Sequence, residues 1–251
     1  MTDLFVEEAG RAGGDTVVWL GSLGSTAAMW EPQVASLGAR FRCLLVDHPG
    51  HGKSPTAPGP YTIAGLADQV VAALDTAGVE RAHVVGLSIG AMVGMALAID
   101  HPDRVDRLAL LCTSAQLGPA SAWEERAETV RDGGTGVIAE TVVGRWLSAD
   151  YRAAHPDEFD ALVGMVSSID DQGYAWCCEA IAAMDLRADL PAITAPTLVV
   201  AGALDPATPV EHGELIASLI PGARLEIVDA AHLANWERAV EVNALLEEHL
   251  G

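Results

Sequence analysis

The chain has 251 residues, half of them hydrophobic and a fifth charged. That is a globular composition, far from the low-hydropathy, high-charge signature of disorder. Asp and Glu number 35 against 14 Lys and Arg, a formal charge of −21, which excludes a general basic surface for nucleic acid or anionic membrane.

The first ten residues, MTDLFVEEAG, are acidic and carry neither a basic nor an apolar leader segment, so a cytoplasmic protein is expected. Thr16–Leu20 (TVVWL) and Phe41–Val46 (FRCLLV) read as strands, with a helical stretch at Ala27–Leu37 between them. A helix is expected over Thr62–Ala77, a strand at His83–Leu87, a helix at Ile89–Ile99 and a strand at Val105–Cys112. After a long interval come a strand at Thr197–Ala201, a helix at Val210–Leu219, a strand at Arg224–Val228 and a helix at Asn235–His249. Continuous Val/Leu runs suit strands covered on both faces, and their alternation with helices implies a mostly parallel, doubly wound α/β sheet. The longest uncharged stretch, 83–99, is interrupted by Gly86, Ser88, Gly90 and Gly94, so it reads as strand, turn and helix rather than as a membrane span.

The alternation stops at 114–191, which reads as a helical cap inserted into a core formed by 1–113 and 192–251. Such an insertion would lie over the carboxyl ends of the strands, where open α/β sheets bind ligands. The four cysteines, Cys43, Cys112, Cys177 and Cys178, show no C-x-x-C spacing. No metal site is expected from them, and a reducing compartment is.

The most informative string is VVGLSIGAM, which holds G-x-S-x-G as Gly86-Leu87-Ser88-Ile89-Gly90 between an apolar strand and an apolar helix. That context makes Ser88 a candidate nucleophile on a sharp strand-to-helix turn. A serine hydroxyl needs a base, and the base needs an orienting acid. His232 follows the last strand and Asp205 the strand before it, giving the order Ser, acid, His. His48, His51, His83, His101, His155, His212 and His249 fit that order less well. The developing oxyanion needs two backbone donors. Ile89 N–H follows the nucleophile, and Leu23 N–H lies in the loop Gly21–Ser25. The segment VDHPGHGKS (46–54) ends like a phosphate-binding loop, but Asp47 stands where the G-x-x-x-x-G-K-S pattern requires glycine, so no nucleotide and no other cofactor is called for.

Together DHPGHGKS, GLSIGAM, GALDPATP and DAAHLANWE resemble the α/β-hydrolase superfamily over essentially the whole chain. A narrower resemblance is to 3-oxoadipate enol-lactonases. It is carried by LGSLGSTAAMW (20–30), SAWEERAETV (121–130), GYAWCCEAIAAMDLRADLPAITAPTLVVAGALDPATP (173–209) and HLANWE (232–237). Two positions depart from that pattern: Pro49 stands where those lactonases more often have arginine, and Trp236 follows H-L-x-N. The resemblance implies a serine hydrolase that opens 3-oxoadipate enol-lactone to 3-oxoadipate through an acyl-enzyme, with Ser88, His232 and Asp205 as its triad. The partner implied is a small anionic lactone, which the net charge would repel, so a local cation is required. Arg126, three residues after Trp123 on one helix face, is the first candidate. Arg145 beside Trp146 is the second. Another hydrolase of the same fold (a carboxylesterase, a carbon–carbon bond hydrolase or a cofactor-free perhydrolase) is the alternative, and a non-catalytic ligand-binding module the remote one.

Overall fold

The computed structural model describes residues 4–251. Seven strands form one sheet: β1 (Val6–Gly10), β2 (Thr16–Leu20), β3 (Arg42–Val46), β4 (Ala82–Leu87), β5 (Val105–Leu111), β6 (Thr197–Gly202) and β7 (Arg224–Val228). Their spatial order is β1-β3-β2-β4-β5-β6-β7. Only β1 runs antiparallel, pairing Val6 with Val46 through Gly10 with Arg42, and the other neighbours are parallel. β1 is an addition to the strands read from sequence. Its VEEAG has little apolar content, and Glu7 and Glu8 stay exposed on the sheet edge.

The central strands carry continuous apolar runs because successive side chains enter different cores. In β2, Val18 and Leu20 point into one core and Val17 and Trp19 into the other. Leu108 and Leu110 of β5 take the first side, Ala109 and Leu111 the second. Helices α2 (Ile63–Thr76) and α3 (Ile89–Asp100) cover the first face with Leu66, Val70, Met92 and Met95. Helix α1 (Glu31–Leu37) and the C-terminal α11 (Ala239–Leu250) cover the second with Leu37, Val242 and Leu246. Each such side chain removed from water stabilises the fold by about 1.5–3 kcal/mol. Helix α3 has no polar face because Ile89 through Ala98 are all buried. Thr62 starts α2 by accepting Gly65 N–H at 3.0 Å, as an N-cap should.

Between β5 and β6 the chain forms α4 (Ala120–Gly133), α5 (Gly136–Trp146), α6 (Ala149–Ala154), α7 (Pro156–Ser167) and α8 (Asp171–Ala183). Helix α4 packs along α8 and α5 along α7. Helix α9 (Val210–Leu219) precedes β7. The stretch expected as one helix over Asn235–His249 is broken: α10 (Ala234–Glu237) ends at Arg238, whose φ and ψ of −124° and 42° are not helical, and α11 begins after it.

Candidate active site

Ser88 occupies the turn from β4 to α3 with φ 58° and ψ −119°, a conformation that costs a non-glycine residue on the order of 1–3 kcal/mol. The surroundings hold it there. Its N–H donates to Leu111 O at 3.0 Å, and its carbonyl accepts Thr113 Oγ1 at 2.8 Å and the N–H groups of Ala91 and Met92. The two glycines of the motif are demanded by close approach. A Cβ on Gly90 would lie 2.1 Å from Leu20 O, and one on Gly86 would lie 2.5 Å from Ala91 N.

Asp205 follows β6, and His232 lies beyond β7. His232 Nδ1–H donates to Asp205 Oδ2 at 2.7 Å. The same oxygen accepts Thr208 Oγ1–H at 2.6 Å, and Oδ1 accepts the N–H groups of Ala207 and Thr208 at 2.7 and 3.1 Å. Burial alone would raise the Asp205 pKa. The adjacent His232 and the hydrogen bonds from His232 and Thr208 outweigh it and hold the carboxyl down to about 2. Asp205 is therefore ionised at neutral pH and fixes the His232 ring with Nε2 free to take a proton. Ser88 and His232 line one cavity, without a hydrogen bond joining the two in this state. Such bonds are commonly long before substrate binds.

The loop after β2 contributes the remaining backbone. Ser22 N–H donates to Met29 Sδ at 3.2 Å, Gly24 N–H to His51 Nε2 at 3.1 Å and Ser25 N–H to Ser22 O at 3.0 Å. Leu23 N–H, between them, and Ile89 N–H, at the start of α3, meet no acceptor among the described residues. These are the two amides expected to face an oxyanion. Met29 also ties this loop to the histidine loop, since its carbonyl accepts Asn235 Nδ2–H at 2.9 Å and Trp236 Nε1–H at 2.7 Å. Trp236, which departs from the lactonase pattern, thus holds a defined position.

The cavity has a volume of about 200 Å³. Besides Ser88, His232 and Leu23, its walls include Trp123 and Arg126 of α4, Arg145 and Trp146 of α5, and Tyr174 of α8. The Arg126 guanidinium sits 4.6 Å above the Trp123 ring, within cation–π range. Trp146 is buried and Arg145 exposed. Arg40, Arg42, Arg81, Arg104, Arg131, Arg187, Arg224 and Arg238 each meet a carboxylate. Arg11, Arg107, Arg126, Arg145 and Arg152 meet none among the described residues, and of these only Arg126 and Arg145 line the cavity. Tyr174 is fully buried and its hydroxyl has no hydrogen-bond partner. Tyr174 and Thr208 escaped sequence reasoning, although the spacing Asp205-x-x-Thr208 is the short-range signature of a side chain capping its own turn. No cluster of three His, Cys, Asp or Glu among the described residues could hold a metal ion, and no helix among them is long and apolar enough to cross a membrane.

A family model described as the alpha/beta hydrolase fold matches residues 15–133 and 143–239. Among curated proteins, the chain is 35% identical over 238 residues to 3-oxoadipate enol-lactonase 2 of Acinetobacter baylyi, covering 95% of this chain and 89% of that one. It is 33% identical to a putative carbamate hydrolase, RutD, of a Caulobacter species, covering 84% and 81%. Among solved structures, the enol-lactonase from Burkholderia xenovorans superposes with a TM-score of 0.97 at 39% identity, covering 99% of this chain and 96% of that one.

Proposed function

The chain belongs to the α/β-hydrolase fold family, and we propose that it is a serine hydrolase that opens a small anionic lactone, 3-oxoadipate enol-lactone, to 3-oxoadipate. The observation that carries the choice of an anion is the composition of the cavity that Ser88 lines. Arg126 and Arg145, which meet no carboxylate among the described residues, and Tyr174 line the same cavity as the serine. In a chain of charge −21, cations left without acidic partners beside a nucleophile are what a carboxylate-bearing substrate requires.

Ser88 Oγ attacks the lactone carbonyl carbon while His232 Nε2 takes its proton. Asp205 stabilises the imidazolium that results, without itself becoming protonated. The oxyanion is held by the N–H groups of Leu23 and Ile89. Collapse of the tetrahedral intermediate breaks the ring C–O bond. The enol oxygen leaves with the proton from His232 and ketonises. Water, giving a proton to His232, then attacks the acyl-serine carbonyl, and the second collapse returns the proton to Ser88 Oγ and releases the acid. Residues 114–191 act as the cap that carries Arg126, Arg145 and the tryptophans over the serine.

The putative carbamate hydrolase among the relatives supplies a second reading with the same nucleophile. The two separate in a substrate panel of the enol-lactone, p-nitrophenyl acetate and a small carbamate, run on the native chain and on Ser88→Ala. The enol-lactone is expected to show the highest kcat/KM, and S88A to abolish turnover. Turnover of the carbamate or the ester without the lactone would refute the substrate assignment, and full activity of S88A would refute the nucleophile.

A further inference from the structure

The segment VDHPGHGKS (46–54) follows β3 and takes no part in the chemistry described so far. Its framework residues explain its fold. Asp47 Oδ1 and Oδ2 accept the N–H groups of Ala27 and Lys53 at 2.7 and 2.9 Å, and Ser54 Oγ–H donates to Asp47 O at 2.7 Å. Its two histidines, His48 at 2% exposure and His51 at 0%, do more than hold that turn. Both reach out of it to the backbone of the loop that carries Leu23.

His48 Nε2 lies 3.0 Å from Gly21 O, and a carbonyl can only accept, so Nε2 carries the proton. The same carbonyl receives Gly90 N–H of the nucleophile helix at 3.1 Å. His51 Nδ1 lies 3.1 Å from Pro49 O, which places its proton on Nδ1 and leaves Nε2 as a bare acceptor for Gly24 N–H at 3.1 Å. A second proton on His51 would put one N–H against another. Burial, with His48 alongside, keeps that proton off by lowering the pKa to about 3. The two rings meet edge to face at 5.9 Å, and His51 stacks on Tyr174 of α8 at 6.4 Å and 18°.

We infer that His48 and His51 are positioning residues for oxyanion stabilisation: they grip the carbonyl before Ser22 and the amide after Leu23, and so aim the Leu23 N–H at the reacting carbonyl oxygen. The Ser22–Leu23 peptide lies between the two fixed points. With the lone pair of His51 removed, Gly24 N–H has no acceptor and must turn to find one, carrying the Leu23 amide with it. Loss of an oxyanion donor costs about 100- to 1,000-fold in kcat, and a misdirected donor costs less. The positioning role rests on the serine-hydrolase reading but not on the identity of the lactone, so its test uses a neutral ester.

The test is steady-state hydrolysis of p-nitrophenyl acetate, with the rate of Ser88 labelling by a fluorophosphonate probe, in native, His51→Phe, His51→Gln and His48→Leu chains. Phe keeps the ring against Tyr174 without a lone pair, whereas Gln can present an oxygen to Gly24. H51F is expected to lower kcat and the labelling rate by about 10- to 100-fold, below the loss for a donor removed outright, with KM within about twofold. H51Q is expected to restore most of both. H48L, which cuts the opposite end of the loop, carries the same expectation independently should H51F not fold. Native kcat and labelling in H51F or H48L would overturn the inference, as would equal losses in H51F and H51Q. A native chain that takes no label would refute the serine-hydrolase reading itself, and the positioning role with it.

Discussion

Replacing Arg126 with glutamine isolates the electrostatic part of substrate recognition. A guanidinium about 4 Å from a carboxylate contributes about 4 kcal/mol at an effective dielectric near 20. Arg126 is only partly buried, and solvent screening at such a position reduces this to about 2 kcal/mol. That corresponds to a loss of about 30-fold in kcat/KM for an anionic substrate. The assay is initial-rate hydrolysis of the enol-lactone and of p-nitrophenyl acetate by native, R126Q and R126K chains at low and high salt. R126Q is expected to lose about 30-fold on the lactone, chiefly through KM, and almost nothing on the neutral ester. R126K keeps a charge above the Trp123 ring and is expected to lose less. The native preference for the lactone should shrink in 1 M salt, where the screening length falls to about 3 Å. An R126Q chain with native lactone kinetics, or one equally impaired on both substrates, would refute the pairing of Arg126 with substrate charge.

Two further perturbations test the groups behind the cavity. Thr208→Val removes the 2.6 Å hydroxyl contact to Asp205 while keeping its shape, and should lower folding stability by about 2 kcal/mol in a denaturant titration, as expected for a hydrogen bond to a charged group; an unchanged midpoint would show the contact to be idle. Acid should destabilise the fold through His51, whose pKa is 6.5 unperturbed and about 3 in place. The unfolded chain binds its proton below pH 6.5 and the folded one does not, so stability falls by about 1.4 kcal/mol per unit as pH drops through that window. Asp205 is also destabilised by acid, but its contribution is present above about 3.8 and lost only towards 2, so it does not obscure the effect at pH 4.5. Comparing native and H51Q chains at pH 6.5 and 4.5 should show about 2.5 kcal/mol less acid loss in H51Q; equal losses would contradict the buried neutral ring.

The parts of the molecule that sequence reasoning reached are those whose signals are local. The runs around TVVWL, HVVGL and TLVVA announce buried strands because both faces of each are covered. Gly86 and Gly90 flank Ser88 because the backbone leaves no room for a Cβ. The parts it missed depend on distant partners. VEEAG is a strand only because β3, 32 to 40 residues further along the chain, offers it an edge, pairing Val6 with Val46 through Gly10 with Arg42. His48 and His51 are polar residues in a turn until Gly21 O and Gly24 N–H are brought to them across 27 positions of chain. The break at Arg238 belongs to the same class, its side chain donating to Asp229 O and Oδ2 nine positions back.

The outer edge of β1 bears on how copies of this chain meet. An exposed strand edge offers unpaired N–H and C=O groups to any extended segment, and a second copy carries the same segment. Antiparallel pairing of two β1 strands about a two-fold axis would bring Glu7 and Glu8 of one copy against Glu8 and Glu7 of the other, and like charges placed opposite one another disfavour such a ladder. Strand β7 closes the far edge with Arg224 already committed to Glu226 and Glu248. The acidity that began as an obstacle to substrate thus also disfavours extension of the sheet at β1 by a second copy, because Glu7 and Glu8 would meet their own like.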